Sequence, residues 1–136
     1  MVVDGANVLA GPFDCLGKSD NQAAKQRGNP TRNPLFSYGD TPTGDYRGYV
    51  THLEPTQTND NTYGPNGIIS LDPQSGDALK AKKNGRFGLL IHGGRLRDSI
   101  HLRPTFGCVR VSDESMRKIL QAVWPKTEVS VTIKEV

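Results

Sequence analysis

Apolar residues along this chain come in short runs broken by glycine, proline and polar positions, a pattern of short strands and turns. Val2-Val3 and Val8-Leu9 flank Asp4-Gly5, which predicts an opening hairpin turned at Asp-Gly. Gly11 to Gly17 reads as a continuation of its second strand. Residues 18 to 36 are polar and punctuated by Pro30 and Pro34, a loop with a helical turn around Asn21 to Gln26. Gly39 to Tyr46 is a turn leading into a strand from Tyr46 to His52. Glu54 to Gly67 is a loop, Ile68 to Leu71 a short strand, and Gly76 to Asn84 holds a helical turn. Phe87 to Ile91 is a nearly continuous apolar run, as in a buried central strand, and it delivers His92 at its end. Gly93 to Pro104 is polar and arginine-rich.

One helix is well marked. Ser112 can cap it, and Asp113 and Glu114 fall in the first turn, where the helix dipole favours anions. Met116, Ile119, Leu120 and Val123 then recur on one face, and Trp124-Pro125 ends the run. Glu128 to Glu135 alternates Val129, Val131 and Ile133 with polar residues, the mark of a half-buried last strand. The pattern is mostly β with one solid helix. It shows no repeat and no domain boundary, and 136 residues suit one domain, 1–136.

Composition narrows the class. Charged residues are 23% and hydrophobic residues 35%, as in a soluble globular domain, and fifteen glycines and nine prolines agree with many turns. The formal charge is +3. It is too mild, without a dense Lys/Arg run, to argue for nucleic acid, although a weak positive bias suits an anionic polymer. No stretch is long and apolar enough to span a membrane. The first ten residues lack the basic-then-apolar order of a signal peptide. The protein then stays inside, leaves by a signal-independent route, or is a trimmed domain; the sequence does not choose.

Two cysteines, Cys15 and Cys108, make no disulfide framework, and His52, His92 and His101 form no metal-ligand spacing with them. No cofactor is called for. The chemistry sits elsewhere. Cys108 lies in Thr105-Phe106-Gly107-Cys108-Val109-Arg110, downstream of Leu90-Ile91-His92-Gly93-Gly94. A thiol attacks as thiolate, and an imidazole can take its proton or stabilise its charge. Glycine beside each residue lets backbone and substrate come close. The pair reads as a Cys-His acyl-transfer site.

Several segments together resemble the L,D-transpeptidase catalytic domain of the YkuD type. Gly39-Asp40-Thr41-Pro42-Thr43-Gly44-Asp45-Tyr46 is similar to that family's early Thr-Pro-x-Gly segment. Leu89-Leu90-Ile91-His92-Gly93 is similar to its histidine strand, and Thr105 to Val111 to its [Ser/Thr]-x-Gly-Cys-x-Arg motif, followed by a short helix and closing strand. The ordered set spans most of the chain. The resemblance implies a twisted β-sandwich and a peptidoglycan stem-peptide substrate. It further implies attack on the L,D bond after the third stem residue, release of D-Ala, and passage of the acyl group to an amine. Many members carry a second histidine where this chain has Phe106. The implied workplace is the periplasm or cell envelope. Some type VI secretion effectors resemble the family and arrive there without a signal, which would add an immunity or delivery partner. Hydrolysis instead of transfer would make an L,D-carboxypeptidase. A wall-binding domain without activity is a third reading, against which the intact Cys-His pair argues.

Each residue has a plainer reading beside this one. Cys108 as nucleophile competes with a free cysteine filling the core, and His92 as base with a histidine at a strand end. Gly93 would orient the imidazole through its carbonyl, and the N–H groups of Gly107 and Cys108 are candidate oxyanion donors. Arg110 is either a substrate or oxyanion-side contact or an ion-pair partner of Asp113 or Glu114. Thr105 orients a catalytic group or, more simply, hydrogen-bonds its turn. Arg95, Arg97 and Arg103 can meet stem-peptide carboxylates as a lid, against solvated loop charge. Cys15 reads as a structural thiol in a strand, His101 as a loop histidine, and Tyr38, Tyr46 and Tyr49 as core or cleft wall.

Overall fold

The computed structural model describes residues 1–52, 63–64, 66–94, 102 and 104–135. Among them the chain forms β1 (Val2–Asp4), β2 (Asn7–Ala10), α1 (Asn21–Gln26), β3 (Gly44–His52) and β4 (Gly67–Pro73). It continues through α2 (Gly76–Lys83), β5 (Leu90–His92), β6 (Val109–Arg110), α3 (Asp113–Val123) and β7 (Glu128–Ile133). β1 and β2 make a hairpin of their own, and the other strands make one mixed sheet in the order β6-β5-β4-β3-β7. The protein is mainly β, with its longest helix directly after the Cys108 segment, as the sequence predicts.

Alternation sets the sheet. β4 buries Gly67, Ile69, Leu71 and Pro73, every second residue, and the same period appears in Val129, Val131 and Ile133 of β7. β3 pairs antiparallel with both, from Tyr46↔Pro73 to His52↔Gly67 on one side and Gly44↔Ile133 to Tyr49↔Glu128 on the other. Gly48 belongs to this packing: a Cβ there would come within 2.8 Å of Ile69 Cγ2 and 3.1 Å of Val129 Cγ2. The apolar stripe of α3, with Met116, Ile119 and Leu120, closes the core with Tyr46, Ile69, Leu71, Ala78, Leu89 and Val111. Each buried Val, Leu, Ile or Met side chain of this core contributes about 1.5–3 kcal/mol. Ser112 caps the helix through its hydroxyl, which accepts from Ser115 N, and a turn at Trp124-Pro125 ends it.

Three readings change. The strand placed at Phe87 to Ile91 forms only over Leu90–His92. Gly88 has φ +77, a left-handed conformation that breaks the extended chain, and Phe87 points to solvent with 91% exposure. Leu89 still pairs across, its carbonyl accepting from Leu71 N at 2.9 Å. Gly11 to Gly17 is not a continued strand; it makes one bridge, Leu16 to Arg110, and Cys15 is exposed outside any strand. The two-residue strand β6 is too short to show as a period in the sequence. It pairs parallel with β5, Ile91↔Val109 and His92↔Arg110.

Candidate active site

The parallel pairing of β5 and β6 builds the site. With Ile91 opposite Val109, the residue before Val109 comes beside Leu90, and Cys108 Sγ accepts a hydrogen bond from the Leu90 N–H. The thiol also donates to Gly88 O at 3.7 Å. Cys108, the residue before β6, and His92, the last residue of β5, thus lie on adjacent segments two residues apart in register. Leu16 exchanges both backbone hydrogen bonds with Arg110 at 2.9 Å, covering the outer edge of β6.

His92 is buried, with the Tyr63 ring edge-on at 5.1 Å. Its Nδ1 lies 2.6 Å from Gly93 O. A carbonyl only accepts, so Nδ1 carries the proton and Nε2 holds the lone pair. Burial pushes the imidazole pKa below its ordinary 6.5; the Gly93 carbonyl partly restores it and the Arg110 charge lowers it further. Burial pushes the Cys108 thiol above its ordinary 9.0, against the Leu90 N–H and the charges of Arg86 and Arg110. Both shifts favour a neutral thiol beside a neutral imidazole near pH 7.

The turn carrying Cys108 is tied down from three sides. Thr105 Oγ1 donates to Cys108 O at 2.8 Å and accepts from Gly107 N at 3.0 Å, so the hydroxyl serves its own turn. That bond also engages one of the two expected oxyanion donors: the Gly107 N–H points to Thr105. Thr41 Oγ1 donates to Gly107 O at 2.5 Å, reaching from the Thr-Pro segment. Gly107 has φ +116, and a Cβ on it would overlap the Arg86 guanidinium and Gly39 O.

Arg86 was not singled out from the sequence. It is buried, and it donates to Pro34 O at 2.6 Å, Asp40 O at 2.9 Å and Gly39 O at 2.7 Å. Its signal is a lone charge at the head of an apolar run, Arg86 to Ile91. In the sequence Thr41 stands only as part of the Thr-Pro segment, and Asp113 only as an acid of the first helical turn or an ion-pair partner of Arg110. Asp113 Oδ1 accepts from Gly94 N at 2.8 Å. Arg110 is buried too, and its charge reaches both His92 and Cys108. Phe106 is exposed and meets the Tyr38 ring edge-on at 5.9 Å, and Arg27 lies over Tyr38 at 5.4 Å. Tyr46 is core: its buried hydroxyl donates to Pro42 O at 2.6 Å and its pKa is pushed up to about 12. Arg95, Arg97, Arg103 and His101 lie outside the described residues, as does most of the loop expected at Glu54 to Gly67.

Two grooves among the described residues lie elsewhere on the surface. One groove is lined by His52, Asn66, Arg117 and Trp124, and another by Leu9, Phe13, Lys118 and Ala122; neither includes Cys108. Among the described residues no group of His, Cys, Asp and Glu could hold a metal ion. No helix there is long and apolar enough to cross a membrane.

Comparison with known proteins adds one finding. The family model for the L,D-transpeptidase catalytic domain, YkuD, matches residues 16–131. Comparisons with curated proteins and with solved structures give no match. The matched span runs from Leu16, bridged to β6, through the histidine strand and the cysteine turn to Val131 of the last strand. On that match, the chain belongs to the L,D-transpeptidase catalytic-domain family, whose members are cysteine-dependent enzymes of peptidoglycan.

Proposed function

We propose that residues 1–136 act as one catalytic domain that cleaves the L,D bond of tetrapeptide stems through a Cys108 thioester and passes the acyl group to an amine. The observation that carries the reading is the 2.6 Å contact between His92 Nδ1 and Gly93 O, which leaves Nε2 as the free base on the strand beside Cys108. Nε2 takes the Sγ proton as sulfur attacks the carbonyl of the third stem residue. The C–S bond forms and the carbonyl oxygen becomes an oxyanion, with the Cys108 N–H as its backbone donor. His92 then hands the proton to the D-Ala nitrogen, the C–N bond breaks and D-Ala leaves. An acceptor amine attacks the thioester, its proton passes to His92, and Cys108 departs with that proton restored.

The neutral state of both groups supports general-base activation of the thiol over a standing thiolate-imidazolium pair. The buried Arg110 adds positive charge that reaches Cys108 and favours the negative charge developing there during attack. The workplace is the cell wall, in the periplasm or envelope. Recognition of the donor-stem carboxylates by Arg95 and Arg97 belongs to the same reading. Replacing both with Ala should raise KM for tetrapeptide donors with little change in thermal stability.

The test supplies a purified tetrapeptide muropeptide with excess labelled D-amino acid and follows the products by mass. Exchanged tetrapeptide alongside tripeptide is the expected result. Tripeptide alone at every acceptor concentration would make the enzyme an L,D-carboxypeptidase. An unchanged tetrapeptide would overturn the reading.

A further inference from the structure

We propose that Asp113 is a positioning residue for His92, acting through the Gly93–Gly94 peptide. The inference rests on His92 serving as the base. The carbonyl of Gly93 and the N–H of Gly94 belong to one planar unit, so fixing one direction fixes the other. Gly93 O accepts from His92 Nδ1 at 2.6 Å, and Gly94 N donates to Asp113 Oδ1 at 2.8 Å. The carboxylate and the imidazole therefore lie on opposite ends of the same peptide.

Two consecutive glycines give that peptide no preferred orientation of their own. It is set from outside. Gly93 N donates to Tyr63 O at 3.1 Å on one side, and Asp113 holds the Gly94 N–H on the other. The chain clears space for this contact: a Cβ at Gly93 or at Gly64 would overlap Asp113 Oδ1. Asp113 itself is fixed as the first residue of α3, after the Ser112 cap, and its own carbonyl accepts from Asn66 Nδ2 at 2.8 Å. The helix is anchored in the core through Met116, Ile119 and Leu120.

Polarisation follows from the same geometry. An amide whose N–H donates to a carboxylate carries more negative charge on its oxygen, because hydrogen bonds in a chain strengthen one another. Gly93 O thereby becomes a stronger acceptor for Nδ1–H and a better partner for the imidazolium formed during attack. A carboxylate thus serves the histidine without touching it, with a backbone unit between them.

An acid in the first turn of a helix also stabilises that helix through its dipole. Glu114 separates the two roles. It lies in the same turn, is exposed, and pairs with Lys118 at 3.6 Å without reaching the glycines.

The experiment compares the full chain with Asp113→Asn, Asp113→Ala and Glu114→Gln. It reads the ring 15N shifts of His92 across pH, thermal stability, and kcat and KM for D-Ala release from tetrapeptide stems. Asp113→Ala should mix the two imidazole tautomers and lower kcat by up to about 100-fold with little change in KM, since misplacing a catalytic group costs rate before affinity. Asp113→Asn keeps an acceptor and loses the charge. It should keep the tautomer while the His92 titration and the acid limb of kcat move to lower pH. Glu114→Gln should lose as much thermal stability as Asp113→Asn and keep the wild-type ring signals and kcat. Wild-type tautomer and titration in Asp113→Ala would overturn the proposal; if that variant does not fold, an unmoved titration in Asp113→Asn does so. A wild-type protein that releases no D-Ala would overturn the His92 base reading, and the ring signals would still decide the Asp113 contact.

Discussion

Cys108 and His92 resist charge at rest, and that defines how each should answer to change. In the proposed mechanism Cys108→Ala removes the nucleophile while deleting one half-buried sulfur. It should abolish tetrapeptide turnover and leave the circular dichroism spectrum and melting temperature near wild type; processing of muropeptides by this variant would refute the assignment. Alkylation by iodoacetamide separates the two ionisations. Base assistance from His92 should give an acid limb below pH 6.5, the ordinary imidazole value, because burial lowers its pKa. Direct ionisation of the thiol should add a second rise above pH 9.0. His92→Ala should erase the acid limb and keep the alkaline one. A single limb in the wild type, unmoved by the substitution, would mean that the imidazole does not serve the thiol.

At the scale of the elements, the turn from Thr105 to Cys108 is the part under tightest constraint. Gly107→Ala must hold a Cβ at φ +116 against the Arg86 guanidinium and Gly39 O. Strain at such a site costs about 1–3 kcal/mol, and urea unfolding should show a loss of at least that size together with lost turnover. Sequence patterns exposed the cysteine and histidine because glycine flanks both, and exposed α3 because Ser112, two acids and an apolar stripe agree at successive levels. They placed β3, β4 and β7 within two residues, β7 by alternation and the other two as runs bounded by turns. They did not expose what holds the turn. Arg86 and Thr41 reach Gly107 across 21 and 66 positions of sequence respectively, and no local pattern encodes such a meeting. Phe87 failed for a related reason, since one left-handed glycine outweighs an apolar run.

For the whole molecule, the buried pair links chemistry to stability. His92 has a folded pKa below its unfolded value, so its contribution is full above pH 6.5 and is lost as pH falls through the folded value. Cys108 has a folded pKa above its unfolded value, so its contribution is full below pH 9.0 and is lost as pH rises through the folded value. Urea midpoints should therefore fall on both sides of a plateau between these limits. His92→Gln should flatten the acid side and Cys108→Ala the alkaline side; slopes unchanged in both variants would contradict the burial of the pair.

The parallel register of β5 and β6 has a consequence for how such a protein can diverge. In a hairpin the chain between two strands is short and its length sets their alignment. Between parallel neighbours the chain leaves the far end of one strand and must return to the near end of the next, whatever path it takes. Here it leaves after His92 and returns at Cys108. The two or three residues of paired strand span only about 10 Å at ~3.3 Å per residue. The connection from Gly93 to Gly107 has more chain than that return requires. Residues can be added to or removed from its middle while the thiol and imidazole keep their spacing.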